Sequence, residues 1–195
     1  MACAEILRKT AETDIRLRLD TAGGETRVDT GCGFLDHMLT LFARHGGFGL
    51  ELSCRGDLHV DAHHTTEDVA IVLGRAFDQA LGERRGIRRY GSMLLPMDEA
   101  LILCAVDISG RPCLGWALDI PAARVGEFDT ELTKEFFLGF VRALGCCVHL
   151  RQLAGENSHH IIEGAFKAFG RAMGQAVSVD PARAGEIPST KGTIL

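Results

Sequence analysis

An internal repeat built around two histidine pairs constrains this chain more than any other feature. The segment His63-His64-Thr65-Thr66-Glu67 aligns with His159-His160-Ile161-Ile162-Glu163. A repeat on this scale indicates one supersecondary unit used twice, whose copies bury their apolar faces together. The flanking residues extend the alignment, with a shift of two residues in the loop before each motif: Arg44 with Arg142, Gly47 with Gly145, Leu50 with Val148, Leu52 with Leu150, Gly74 with Gly170, and His37 with Glu135.

Hydrophobic periodicity predicts a similar order of strands and helices in both copies of the repeat. Ala22-Gly23-Gly24 has the composition of a hairpin turn before a short strand at 26–28. We therefore expect an α+β fold in which residues 1–90 and 91–195 form two halves of one compact unit. The predicted strands cover about 15–19, 50–54, 101–106 and 146–151, and the predicted helices cover about 34–45, 64–82, 130–144 and 158–176.

The charge and composition of the chain argue against several classes of partner. With 195 residues, a formal net charge of −5 and a pI near 5.9, the sequence lacks the basic surface of a nucleic-acid-binding protein. It contains no apolar run of the roughly 18 residues needed to span a bilayer, and the early acid Glu5 argues against a secretory signal. The seven cysteines include no CxxC spacing, which favours free thiols. We expect a cytoplasmic protein without nucleic-acid or membrane partners.

The spacing within each motif predicts how its side chains can hold metal ions. His63 and Glu67 are four residues apart, so on a helix they share one face and can grip one ion. On the same helix His64 points about 100° away from His63, and it should therefore serve a second ion. The same geometry applies in the second motif to His159, Glu163 and His160.

Two metal sites are the economical arrangement of these ligands. Each site takes a His/Glu pair from one motif, a single imidazole from the other, and a fourth ligand from His37 or Glu135. The ligands can come from one chain or from both sides of a subunit contact, and the sequence leaves both arrangements open. Imidazole and carboxylate without thiolate suit Mn²⁺, Fe²⁺, Zn²⁺ or Ni²⁺. Four protein ligands on an ion that prefers six leave positions for substrate, which is typical of a catalytic site.

Three further segments place a cation beside a turn, an arrangement that suits an anionic ligand such as phosphate. Taken singly, each pattern is more often a solvated charge than a binding site. The segments are Arg88-Arg89-Tyr90-Gly91, Ser109-Gly110-Arg111-Pro112 and Pro188-Ser189-Thr190-Lys191-Gly192.

Several motifs of the chain, taken in order, are long enough to be highly specific. They include the third cation-bearing segment above, and the others are Gly33-Phe34-Leu35-Asp36-His37-Met38-Leu39, Asp61-Ala62-His63-His64-Thr65-Thr66-Glu67-Asp68, Pro96-Met97-Asp98-Glu99-Ala100 and Gly155-Glu156-Asn157-Ser158-His159-His160.

These motifs resemble the imidazoleglycerol-phosphate dehydratase family of histidine biosynthesis, and the similarity runs from Arg8 to the C-terminal tail. The resemblance implies a tandem duplication of a ferredoxin-like or ribosomal-protein-S5-domain-2-like half, two Mn²⁺ ions per active site, and a homo-oligomer, a 24-mer with sites at subunit contacts. Matching metal-ligand positions are His37, His63, His64, Glu67, His159, His160 and Glu163, while Glu135 stands where many members have histidine. Matching substrate positions are Glu12, His37, His45, His63, Glu67, Arg89, Arg111, His159, Ser189, Thr190 and Lys191, and the catalytic candidates are Glu12, Glu67 and Glu163.

The resemblance implies dehydration of imidazole glycerol phosphate to imidazole acetol phosphate. The carbon that loses the proton lies beside no carbonyl, so the imidazole must assist as an imidazolate held between two cations. Loss of the hydroxyl then gives a diazafulvene, whose acidic C–H a general base removes, with Glu12 as the candidate. Phosphate anchoring by Arg89, Arg111 and Lys191 would orient the ring.

Two other classes of function stay open from the sequence. A dimetal phosphoesterase-type hydrolase would use the same ions to activate water. A non-catalytic RNA-binding module is the third class, and the acidic pI disfavours it.

Overall fold

Two copies of one strand and helix order make up the chain. A computed structural model describes residues 3–194. The first half contains β1 (Cys3–Lys9), β2 (Thr13–Asp20), β3 (Thr26–Asp29), α1 (Gly33–Gly46), β4 (Gly49–Gly56) and α2 (His63–Leu81). The second half contains β5 (Tyr90–Met97), β6 (Ala100–Asp107), β7 (Cys113–Ala117), a small ribbon of β8 (Arg124–Val125) and β9 (Phe128–Asp129), then α3 (Leu132–Leu144), β10 (Cys147–Ala154) and α4 (Ser158–Val177), before a 3-10 turn at Pro181–Arg183.

The two large sheets have the same topology. Their strand orders are β1-β2-β4-β3 and β5-β6-β10-β7. In each sheet the third strand of the half lies at an edge and runs parallel to the strand between its two helices, while all other pairings are antiparallel. The predicted α+β fold of two duplicated halves, each a mixed sheet backed by two helices, is therefore confirmed.

The predicted hairpin after Ala22 is wrong. β2 and β3 do not pair with each other, because β4 lies between them and pairs with both. The chain instead crosses the end of β4, where a Cβ on Gly49 would lie 2.9 Å from the carbonyl oxygen of Gly23. Gly23 and Gly24 have φ values of 110° and 143°, which glycine adopts without strain. The glycines thus serve a close crossing rather than a two-residue turn.

The helices form two inner layers between the sheets. In β2 the side chains of Ile15, Leu17 and Leu19 are buried against them, while Arg16 and Arg18 face outward. α1 packs on α4 and α2 packs on α3, so each helix pair joins the two halves. Aromatic rings fill this interface, each contributing roughly 1.5–3 kcal/mol by burial. The ring contacts include Phe42 with Phe169, Phe77 with Phe140, and Phe137 with Phe166.

Small residues allow the paired helices to approach closely. A Cβ on Gly170 of α4 would lie 2.4 Å from the carbonyl oxygen of Phe42 in α1. A Cβ on Gly139 of α3 would lie 3.1 Å from the carbonyl oxygen of Glu67 in α2. Each contact joins a motif helix, α4 or α2, to a helix of the other half. This packing determines which candidate ligands can meet within one chain. No helix within residues 3–194 is long and apolar enough to cross a membrane.

Candidate active site

Three candidate ligands converge where α1 meets α4. The Nε2 atom of His37 lies 3.3 Å from Oε2 of Glu163, and Nε2 of His159 lies 3.0 Å from the same oxygen. Within residues 3–194 this is the one group of three or more His, Cys, Asp or Glu side chains whose donor atoms all lie within 4.8 Å of one another. The α1–α4 trio, as we call His37, His159 and Glu163, therefore has the spacing of a metal site.

Lysine neutralises the carboxylate of this trio. Lys167, one turn after Glu163 on α4, places its Nζ 2.5 Å from Oε1 of Glu163. Burial alone would raise the pKa of Glu163, but the hydrogen bonds from Lys167 and His159 outweigh it and lower that pKa below its ordinary value. Glu163 is thus held as an anion, the form that binds a cation.

The equivalent residues on α2 and α3 are less closely assembled. Nε2 of His63 lies 3.8 Å from Oε2 of Glu67, and both side chains are more than a third exposed. Glu135 lies in the first turn of α3, one turn before the Gly139 contact with α2. It does not join His63 and Glu67 in a group as tight as the trio. We call His63, Glu67 and Glu135 the α2–α3 set.

The two remaining imidazoles turn away from their neighbours, in line with the helix argument. The rings of His63 and His64 lie 6.1 Å apart at 81°, and those of His159 and His160 lie 6.2 Å apart at 78°. Nδ1 of His64 lies 3.0 Å from Oδ2 of Asp57, and Nδ1 of His160 lies 2.7 Å from Oε2 of Glu99. Within one chain neither imidazole joins the trio.

These contacts shift the pKa values within each histidine–carboxylate pair. The hydrogen bond with Asp57 raises the pKa of His64 above its ordinary value. The hydrogen bond with His160 is the main cause that lowers the pKa of Glu99 to about 2. The pKa of His45 is instead lowered, first by burial and then by the charges of Lys167 and Arg171, so its imidazole is neutral at pH 7.

The donor set fits divalent cations. It consists of imidazole nitrogens and carboxylate oxygens, with no thiolate among the predicted ligands. Such donors suit borderline and hard ions such as Mn²⁺. Oδ1 of Asp57, beside His64, is buried without a hydrogen-bond partner, so this oxygen can still accept a hydrogen bond or bind a cation.

The three cation-bearing segments of the sequence lie together in the folded chain. They line one cavity of about 250 Å³ and contribute three basic and no acidic side chains from the described part of the chain. The guanidinium of Arg89 is fixed by Asp107 at 2.7 and 3.2 Å and by the carbonyl oxygen of Pro188 at 2.9 Å. Arg89 has a φ of 70°, an uncommon conformation for a non-glycine residue. The lining residues are Arg89, Tyr90, Ser109, Arg111, Ser189, Thr190, Lys191, Thr193 and Ile194.

Comparison with known proteins identifies the family. A model of the imidazoleglycerol-phosphate dehydratase family matches residues 30–173. An imidazoleglycerol-phosphate dehydratase of Synechococcus sp. is 53% identical over 195 residues, which are 100% of this chain and 96% of that protein. The chain belongs to the imidazoleglycerol-phosphate dehydratase family. The prediction of a hydro-lyase of histidine biosynthesis is thereby confirmed.

Other members of the imidazoleglycerol-phosphate dehydratase family agree in sequence and structure. The protein of Xanthobacter autotrophicus is 54% identical over 195 residues, covering 100% of this chain and 99% of its own. The crystal structure from Pyrococcus furiosus has a TM-score of 0.84 at 38% identity and covers 96% of this chain and 99% of that one. The structure from Staphylococcus aureus has a TM-score of 0.82 at 38% identity, with coverage of 91% and 99%.

Three residues at the site were not among the predicted site residues. Lys167 follows Glu163 by one helical turn, so the i, i+4 rule could have identified it. Asp57 and Glu99 contact the lone imidazoles from loops at the ends of strands. Glu99 is far from His160 in sequence, and only the folded sheet brings the two together.

Proposed function

We propose that this protein removes water from imidazole glycerol phosphate to give imidazole acetol phosphate, using two Mn²⁺ ions. One observation carries the proposal: the chain holds a His/Glu ligand trio and, apart from it, a basic cavity of about 250 Å³. The substrate has two matching ends, a ring that can ligate cations and a phosphate.

The ligand sets suggest how the ions are held. His37, His159 and Glu163 would bind one ion, and His63, Glu67 and Glu135 would contribute to the second. The lone imidazoles of His64 and His160 would complete the two sets. Two bound divalent ions would stabilise negative charge on the imidazole ring and so help it to expel the hydroxyl group.

The protein's own side chains supply proton transfer and orientation. Glu12 is half-exposed, with Oε1 3.7 Å from Nε2 of His64, and is the candidate that removes the proton from carbon. Arg89, Arg111 and Lys191 would anchor the phosphate, assisted by Ser189 and Thr190. Anchoring one end of the substrate fixes the reacting carbon relative to Glu12.

We further propose that each active site combines residues from neighbouring copies in a homo-oligomer, a 24-mer by resemblance to the family. None of the motif histidines or glutamates lines the basic cavity of its own chain, and neither lone imidazole reaches the trio. A neighbouring copy can supply both the basic cavity and the lone imidazole to the trio. The seven cysteines are all free, which fits the reducing conditions of the cytoplasm, the location we propose.

The activity is tested with purified protein, Mn²⁺ and imidazole glycerol phosphate. Mass spectrometry should show loss of one water from the substrate with the phosphate retained. A parallel assay for inorganic phosphate tests the alternative, a dimetal phosphoesterase-type hydrolase. Release of phosphate without dehydration would replace our proposal by that alternative.

Shared sites are tested by mixing inactive variants. His159→Ala and His64→Ala each remove one ligand, and each variant alone should be inactive. If the ligands of one site come from two copies, co-assembly of the variants recreates some sites with both histidines, and activity returns. Mixing two preparations of the same variant is the control. Absence of recovery in verified mixed oligomers would show that each chain builds its site alone.

A further inference from the structure

Each lone imidazole is held at one ring nitrogen by a carboxylate from outside its own helix. For His160 the partner is Glu99, at the turn between β5 and β6, with 2.7 Å between Nδ1 and Oε2. For His64 the partner is Asp57, directly after β4, with 3.0 Å between Nδ1 and Oδ2. His63 and His159 instead face glutamates on their own helices. Among the four motif histidines, a carboxylate from outside the helix therefore contacts only the two lone imidazoles.

We infer that Asp57 and Glu99 are positioning residues for metal binding. Each carboxylate accepts the Nδ1 hydrogen of its histidine, which fixes the tautomer that leaves a lone pair on Nε2. A carboxylate on the remote nitrogen also makes the imidazole a more basic ligand. The inference rests on the proposed function, because it assigns a role toward the proposed ions.

The two halves reach this contact from different places in the fold. By sheet topology the counterpart of Glu99, at the turn between the first two strands, is Glu12. Yet Glu12 lies 3.7 Å from Nε2 of His64, and Asp57 holds Nδ1. Simple duplication would have placed the partner at equivalent positions. Recurrence of the same ring contact from non-equivalent positions indicates that the contact itself is required.

The turn that carries Glu99 is built for this placement. Asp98 before it has a φ of 48°, a left-handed conformation that costs energy in any residue but glycine and that clusters at functional sites. Oε1 of Glu99 accepts hydrogen bonds from the backbone N–H groups of Asn157 at 2.8 Å and Glu156 at 3.3 Å. The carboxylate thus connects the turn, the loop before α4 and His160.

Within residues 3–194, no group lies at hydrogen-bond distance from Nε2 of either lone imidazole. The nearest carboxylate oxygens are those of Glu12 and Asp98, each 3.7 Å away from the corresponding Nε2. That separation exceeds the range of a hydrogen bond. The described part of the chain therefore leaves the two Nε2 atoms available to a cation.

The test measures Mn²⁺ binding by the intact protein, using competition with a fluorescent chelator. The variants are Glu99→Gln and Asp57→Asn, which keep the shape and an acceptor oxygen but remove the charge. Each should raise the dissociation constant of one class of site by about 10- to 100-fold and leave the other class unchanged. The matched control is Glu156→Gln, an exposed carboxylate of the same loop, which should bind as the unaltered protein does.

A second measurement separates positioning from support of the fold. Thermal unfolding of metal-free Glu99→Gln should stay within about 2 °C of the unaltered protein, because the Glu99 side chain is 41% exposed. The Asp57 side chain is only 17% exposed, so the melting temperature of metal-free Asp57→Asn is measured alongside its Mn²⁺ affinity. Equal Mn²⁺ affinity in Glu99→Gln, Asp57→Asn and the control would overturn the inference, as would a loss of affinity that merely follows a loss of metal-free stability.

The two proposals fail in distinguishable ways. If the unaltered protein binds Mn²⁺ and dehydrates its substrate while both carboxamide variants bind Mn²⁺ equally well, only the positioning role is wrong. If the unaltered protein binds no divalent cation, the proposed function is wrong as well.

Discussion

The α1–α4 trio and the α2–α3 set come from one repeat, yet only the trio is closed within a single chain. Nε2 of His159 lies 3.0 Å from Glu163, whose side chain is 9% exposed. Nε2 of His63 lies 3.8 Å from Glu67, whose side chain is 37% exposed. The helix frames are equivalent, so the difference must come from the side chains that surround each glutamate.

Two exchanges between the halves explain it. Where the trio has the imidazole of His37, the α2–α3 set has the carboxylate of Glu135. Where Glu163 has Lys167 one turn later, Glu67 has the apolar Ile71. The α2–α3 set therefore has two carboxylates and no lysine one turn after Glu67, so within the set only His63 could offset their charge. The comparison teaches that the trio is assembled within the chain, whereas the α2–α3 set is more open; under the proposed function, an ion would close the second set.

Metal removal has the largest expected effect. Excess chelator should abolish dehydration and dissociate the assembly into smaller species, because in the proposed site the ions would join residues that one chain does not bring together. Activity assays and light scattering measure the two effects, and added Mn²⁺ should reverse both. Titration back should reveal a tighter and a weaker class of site. An active, undissociated protein in excess chelator would contradict the prediction.

Helix spacing offers the next largest test of the comparison. Gly170→Ala places a methyl group 2.4 Å from the carbonyl oxygen of Phe42 and should cost about 2–3 kcal/mol of unfolding free energy, because backbone must move. Gly139→Ala meets the carbonyl oxygen of Glu67 at 3.1 Å, a smaller clash that the gain of about 1 kcal/mol in helix propensity offsets. Urea unfolding of both variants, each checked for unchanged m-value, measures the difference. Equal losses of unfolding free energy in the two variants would show that both helix interfaces accommodate an added methyl group equally well.

Much of this frame could be predicted from the sequence, because periodicity and repetition are local signals. The observed helices Gly33–Gly46 and Ser158–Val177 lie within a residue or two of the predicted ones. The sequence did not predict β1, β5 and β7, which all lie at sheet edges, nor the short ribbon of β8 and β9. Pro96 also interrupts the pattern of β5. The hairpin failed because strand order is a property of the whole sheet, which Gly23 and Gly24 do not encode.

Predictions about the site also succeeded where the signal is local and failed where the contact depends on tertiary structure. Helical spacing correctly separated His64 from His63, since that geometry is fixed by neighbouring residues. The gathering of Arg89, Arg111 and Lys191 in one cavity followed only from the family resemblance, because no short-range pattern joins them. The contact of Glu99 with His160 depends on tertiary structure alone.

Removing each glutamate separates the two sites by stability. In chelator, Glu163→Ala should lower the unfolding free energy by about 2 kcal/mol, because it leaves Lys167, which is 17% exposed, without its partner. Glu67→Ala should cost no more than about 0.5 kcal/mol, as for an exposed ion pair. Denaturant unfolding of the two variants in parallel measures both values. A loss as large for Glu67→Ala would mean that the α2–α3 set is also closed without metal.

Exchange of the non-equivalent ligand should give the smallest effect. Glu135→His makes the α2–α3 set resemble the trio and replaces an oxygen donor by a nitrogen donor. Because imidazole suits Zn²⁺ and Ni²⁺ better than the harder Mn²⁺, the variant should shift relative affinity toward those ions by a few-fold and remain active. The reverse variant, His37→Glu, places a second carboxylate beside Glu163. It should lower the free energy of unfolding of the metal-free protein and increase the stabilisation that an added divalent cation gives. Competition between Mn²⁺ and Zn²⁺ measures the shift. If Glu135→His leaves the ion preference unchanged, Glu135 is not a ligand and the second site is completed by another residue.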